Sequence, residues 1–104
     1  MSSASISFDF EAKRVLISGG TSGMGEATAL AFAEAGARVV ISGRNQDRAD
    51  VIIGAAKDFA GSIAFVGGDI SDSQRCTEIV SESVALLGGL DIVVNSAGVI
   101  YHAT

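Results

Sequence analysis

The chain has 104 residues, enough for one small domain, and 48% of them are hydrophobic, so a core can be buried and disorder is set aside. A formal charge of −5 argues against nucleic acid, whose binders present a basic face, and a single cysteine, Cys76, gives no internal disulfide and is expected as a small buried hydrophobe on a helix. No apolar segment approaches the ~18 residues that cross a bilayer, and Met1 to Phe10 lacks the pattern of a signal peptide, so the expected location is cytoplasmic.

After a loose polar lead-in through Lys13, one theme repeats: a short β-rich run, a glycine or polar turn, and a helical stretch. The runs are Arg14 to Ser18, Arg38 to Ser42, Ile63 to Val66 and Asp91 to Val94. They are near-continuous in apolar residues rather than alternating, as expected of parallel strands covered on both faces. The segment from Met24 to Ala35 is mostly alanine, with Leu30 and Phe32, and its small side chains permit close approach to a strand. Ala49, Ile52, Ile53, Ala56 and Ala60 recur at about one helical turn, and so do Cys76, Ile79, Val80, Ser83, Val84 and Leu87. Ser71 with Gln74 reads as a capping box for the last of these helices, and Gly36 and Gly61 fall where a left-handed helix stop is wanted.

The alternation predicts β-α-β-α-β-α-β with right-handed crossovers, an α/β Rossmann-type parallel sheet of strand order 3-2-1-4 with helices on both faces. The sheet is expected to be truncated after the fourth strand, leaving D-I-V-V as an exposed apolar edge that invites another chain to pair with it. A homo-oligomer follows as the expected state. No linker or second domain is visible, so residues 1–104 are expected to form a single domain.

Ser18-Gly19-Gly20-Thr21-Ser22-Gly23-Met24-Gly25 joins the first strand to the first helix. Glycine is wanted there because the chain turns sharply, the backbone approaches a pyrophosphate and the helix packs tightly on the sheet. The helix start then offers unsatisfied N–H groups and a positive dipole end to phosphate, which makes Gly19, Thr21, Ser22, Gly23, Met24 and Gly25 the candidate cradle. The spacing is G-x-x-x-G-x-G, and no Gly-Lys-Ser/Thr ending follows, so ATP and GTP are disfavoured.

On these residues the chain resembles the short-chain dehydrogenase/reductase family, whose first turn reads T-G-x-x-x-G-x-G. Gly19, Gly23 and Gly25 match, with Ser18 in place of threonine. The family's N-N-A-G motif stands as Asn95-Ser96-Ala97-Gly98, with Ser96 departing from it, and Asp69 follows the third strand as in the family. The resemblance runs from about Glu11 to the end. It implies that Ser22 and Met24 touch the phosphate and ribose region of a dinucleotide. It also implies that Asp69 meets the adenine amine beside the Ile70 backbone, and that Asn95, Ala97 and Gly98 flank the ribose on the nicotinamide side.

Where an NAD site carries a carboxylate, about 20 residues past the glycine turn, this chain has Gly43 followed by Arg44 and Asn45. No carboxylate there repels a 2′-phosphate, and a guanidinium is at hand to pair with it. NADP is therefore the expected cofactor, with NAD second. A methyltransferase on a similar sheet expects an acidic residue at this position and is disfavoured.

The resembling family does its chemistry with a serine, a tyrosine and a lysine, the last two spaced Y-x-x-x-K, all downstream of the fourth strand. Here the only tyrosine is Tyr101, with His102 beside it, and no lysine follows Lys57. Ser96 lies too early to be the catalytic serine, and Asn95 belongs to the loop motif. No catalytic residue is therefore assigned, and no Cys/His cluster suggests a metal. The resemblance implies the cofactor-binding half of an oxidoreductase acting on an alcohol or ketone, completed by a C-terminal half. The alternative is a non-catalytic module that binds or senses NADP(H).

Overall fold

In a computed structural model, which describes residues 11–68, 72–96 and, as backbone only, 99–102, the chain forms an α/β sandwich. The elements run β1 (Arg14–Ser18), α1 (Gly23–Glu34), β2 (Arg38–Gly43), α2 (Gln46–Ala55), β3 (Ser62–Gly67), α3 (Ser73–Leu87), β4 (Ile92–Asn95) and β5 (Val99–His102). The sheet order is β3-β2-β1-β4-β5. The first four strands are parallel in the order expected from the sequence, with Ser18 of β1 in register with Ser42 of β2 and Asn95 of β4.

Both sheet faces are covered, which is why the strands read as unbroken apolar runs. Successive side chains point to opposite faces. Val15 and Ile17 pack with Val39, Ile41 and Ile63 under α1 and α2, through Ala29, Ala33, Ala49, Ile52 and Ala56. Leu16, Val40 and Val66 pack under α3, through Ile79 and Leu87. The alanines of α1 let it lie close on the sheet. α3 buries Ile79, Ser83 and Leu87 on one stripe, with Val84 and Leu86 left exposed and Cys76 half-buried.

The fifth strand departs from expectation. Val99–His102 folds back antiparallel along Ile92–Asn95, so the edge of β4 is not left open. An unpaired strand edge presents a row of N–H and C=O groups, and the nearest β-favouring segment, V-I-Y-H, satisfies them. Two caps also differ. Asp72, not Ser71, caps α3, accepting from the amides of Gln74 at 3.0 Å and Arg75 at 3.3 Å. Ser71 itself lies outside the described residues. Gly36 takes the left-handed conformation, φ +101°, whereas Gly61 is needed for close approach, since a Cβ there would sit 1.9 Å from the Ala37 carbonyl oxygen.

At the amino ends of the strands, the first residues of β1 and β2 hold the end of α3. Arg14 donates to both carboxylate oxygens of Asp91, at 2.9 and 3.0 Å, and to the Gly88 carbonyl at 3.0 Å. Arg38 donates to the Leu87 carbonyl at 3.0 Å, so the two arginines satisfy carbonyls that a helix end leaves orphaned. The guanidinium of Arg14, with its backbone amide second, holds the Asp91 carboxyl well below the usual carboxylate range. A depressed folded-state value means that this stabilisation is complete above the unfolded-chain pKa of about 3.9 and is lost as pH falls through and below it. Asp91→Asn is therefore expected to lower the melting temperature at pH 7 and to flatten the loss of stability between pH 5 and pH 3. Thermal scans in which variant and native chain lose equal stability over that range would remove Asp91 from the acid response.

Candidate functional site

The carboxyl ends of β1, β2 and β4 open into a crevice, and short backbone bonds fix its walls. The amide of Gly20 donates to the Ser42 carbonyl at 3.0 Å, Ser96 to Ser18 at 3.1 Å and Gly68 to Gly43 at 2.8 Å. The loops leaving β1, β3 and β4 are thus each hydrogen-bonded to the end of a neighbouring strand. The central hollow measures about 320 Å³ and is lined by Ser18, Gly19, Thr21, Ser22, Ser42, Gly43, Arg44, Gly68, Asn95 and Ser96.

The glycine loop is shaped by specific contacts. Gly19 has φ +71°, a conformation side chains resist, and a Cβ on it would meet the Ser96 Oγ at 2.2 Å. The loop after β1 and the turn after β4 therefore touch. Gly25 packs its α-carbon against the turn itself, for a Cβ there would lie 2.2 Å from the Gly19 carbonyl oxygen and 2.8 Å from the Gly20 Cα. Ser22 is the N-cap of α1: its hydroxyl accepts from the Gly25 amide at 3.2 Å and donates to the Gly19 carbonyl at 2.7 Å. Gly23, the first helical residue, faces open space, with nothing within 4 Å of where its Cβ would be. Among the described residues the amides of Gly23 and Met24 have no hydrogen-bond partner. The helix start is unplugged.

Two side hollows adjoin the centre. One, of about 500 Å³, lies between Thr21 and the start of α2, lined also by Arg44, Asn45, Gln46 and Asp47. Asn45 is the N-cap of α2, its side chain accepting from the Arg48 amide at 2.9 Å. The other, of about 180 Å³, is largely apolar and lies between Met24, Gly25, Thr28, Phe32 and the end of β4. Met24 is two-thirds exposed at its mouth, an arrangement a buried core residue would not take.

The sequence-derived candidates are thus gathered at one end of the sheet. Gly19, Thr21, Ser22, Arg44 and Asn95 line the central hollow, Met24 and Gly25 the apolar one, Asn45 the one beside α2, and Gly23 stands open at the start of α1. Asp69, Ile70, Ala97 and Gly98 lie outside the described residues. The sequence reasoning passed over Ser42, Gly68 and Asp47. The rule that ligands bind beyond the carboxyl ends of parallel strands points to the first two.

The loop and Ser42 both suit a diphosphate. The open position at Gly23 is a cradle that a Cβ would fill, and unpaired amides surround it. The Ser42 hydroxyl, 1% exposed beside the central hollow, is the one buried side-chain polar atom among the described residues that lacks a partner. Arg44 adds a positive charge at the wall. No group of His, Cys, Asp or Glu that could hold a metal is found among the described residues, and no described helix is long and apolar enough to cross a membrane.

A parallel sheet with a glycine turn at its first helix, facing a second turn across the reversal point of the winding, defines a dinucleotide-binding class of α/β protein. The model of the short chain dehydrogenase family matches residues 13–104, and the chain belongs to that family. It is 41% identical over 90 residues to glucose 1-dehydrogenase of Gluconobacter oxydans, covering 86% of this chain and 34% of the relative. It is 35% identical over 91 residues to 3beta-hydroxysteroid dehydrogenase of Mediterraneibacter gnavus, covering 88% and 33%. Among solved structures, an NADH-dependent reductase complexed with NAD superposes with a TM-score of 0.76 at 32% identity, over 83% of this chain and 36% of that one. The chain thus spans about a third of the length of the curated relatives it matches. The family consists of oxidoreductases that bind NAD(P).

Proposed function

We propose that residues 1–104 form the NADP(H)-binding portion of a short-chain oxidoreductase that moves a hydride between the nicotinamide and an alcohol or ketone. The observation that carries this is the open start of α1, with its unpaired amides, next to a glycine loop that meets Ser96 of the turn after β4. Gly19, Thr21, Ser22, Gly23, Met24 and Gly25 hold the diphosphate, backbone amides and the positive end of α1 balancing its charge. Asn95, with Ala97 and Gly98, faces the nicotinamide ribose, and Asp69 and Ile70 the adenine. When bound, the nicotinamide supplies or accepts the hydride, and this chain's residues orient it. No residue here is assigned to proton transfer. A direct titration with NADPH and NADH, paired with a turnover assay, tests this: binding without turnover by this polypeptide is the expected result. Failure to bind either dinucleotide overturns it.

The preference for NADP(H) rests on Arg44. It stands at the end of β2, where the 2′-substituent of the adenosine ribose belongs, and Gly43 occupies the place of a discriminating carboxylate. The start of α2 points into the same hollow and favours an anion there. A charge-assisted bond to a 2′-phosphate contributes roughly 1.5–3 kcal/mol, about ten- to a hundredfold in affinity. Arg44→Asp is expected to weaken NADPH by that factor while NADH holds or improves. Equal loss of both cofactors in the titration would take the discriminating role away from Arg44.

A further inference from the structure

The hollow between Thr21 and α2 has walls of opposite charge. Arg44 provides one and Asp47, in the first turn of α2, the other. Asp47 is exposed and, among the described residues, its carboxylate is engaged in no hydrogen bond or ion pair. Its neighbours are otherwise occupied. Asp50, one turn on, accepts from Gln46 Nε2 at 2.9 Å, and Glu26 accepts from Arg48 Nε at 2.8 Å, tying α1 to α2. Asp47 alone among these three carboxylates lines the hollow.

We propose that Asp47 is a specificity-determining residue, whose carboxylate opposes in the same hollow the 2′-phosphate that Arg44 attracts. The inference rests on the cofactor reading of the crevice. A phosphate monoester carries about −1.5 to −2 charges at neutral pH. Placed in this hollow it gains from Arg44 and from the helix start, and loses to Asp47. NAD(H), with an uncharged hydroxyl there, feels neither wall strongly. The chain therefore discriminates between the two cofactors by less than Arg44 alone would allow. The glycine in place of the discriminating carboxylate removes one negative charge from the end of β2, and Asp47 restores one from the next helix.

Titration of Asp47→Asn with NADPH and with NADH tests the assignment. Removing an exposed charge opposite the phosphate is expected to tighten NADPH roughly two- to tenfold. NADH is expected to stay the same or weaken, and the NADPH gain to shrink in about 1 M salt, where screening acts over about 3 Å. Asp50→Asn, of equal charge change on the same helix but away from the hollow, is expected to leave the ratio of affinities where it was. The proposal is overturned if Asp47→Asn leaves NADPH unchanged or weaker, if both cofactors tighten equally, or if Asp50→Asn does the same. A native chain that prefers NADH would sink the Arg44 reading alone, and an NADPH gain in Asp47→Asn would still support this one. A native chain that binds neither dinucleotide takes both away.

Discussion

Gly25→Ala is expected to abolish dinucleotide binding and to cost the fold roughly 1–3 kcal/mol, the range of an overpacked interior site. The added Cβ would lie 2.2 Å from the Gly19 carbonyl oxygen and 2.8 Å from the Gly20 Cα. Both are backbone atoms of the turn, so no side chain can swing aside. α1 must instead lift off the loop, and the amides at its start move away from where a diphosphate would rest. Gly23→Ala separates this from the site itself. Its Cβ meets nothing in the protein, and alanine for glycine at a compatible helical position adds about 0.4–1 kcal/mol of stability. The same methyl intrudes on the space proposed for phosphate. Urea melts and NADPH titrations of the pair are therefore expected to disagree in sign on stability and agree on lost binding. If Gly23→Ala bound NADPH like the native chain, phosphate would have to lie elsewhere.

The second large effect lies in the core beneath the crevice. Ile41, in β2 with paired strands on both sides, is fully buried among the side chains under α1 and α2. A Cβ on Gly20 would meet the Ile41 Cβ at 2.5 Å, so this side chain is also the floor on which the glycine turn rests. Ile41→Ala is expected to lose roughly 2–5 kcal/mol of stability, transfer and cavity contributions together. That is a large fraction of the 5–15 kcal/mol typical of a domain. Binding should weaken as well, because the turn loses its support. Chemical denaturation measures the first and titration the second. A loss under 1 kcal/mol would mean that the surrounding side chains collapse into the gap and that the packing is looser than it looks.

Much of the architecture was legible because each parallel strand announces itself by an apolar run too continuous for a half-solvated sheet. Val15, Leu16 and Ile17, all fully buried, are the plain case. The order 3-2-1-4 followed from crossover rules, and the glycine loop from its place between strand and helix. Other features depend on tertiary geometry that local pattern does not encode. Gly61 reads as a helix stop in sequence, yet what requires glycine is the approach of the Ala37 backbone. Ser71 and Asp72 are both competent caps by residue type, and it is Asp72 that takes the position. The fold-back of Val99–His102 was missed because V-I-Y-H carries no marker that distinguishes pairing with β4 from leaving the sheet. In the site, Asp47 was hidden as an ordinary first-turn acid, since only the fold brings it and Arg44 to the lining of one hollow.

The two arginines that open β1 and β2 bear on how this scaffold can be altered. They stand in register and reach the same helix terminus, while every hollow described above lies at the opposite end of the strands. The anchored helix end and the crevice proposed for the cofactor are thus segregated along the strand axis, one strand length apart. Substitutions at residues 43–47, where the cofactor preference is proposed to lie, are therefore expected to leave that anchorage undisturbed, and changes at the two poles to combine additively.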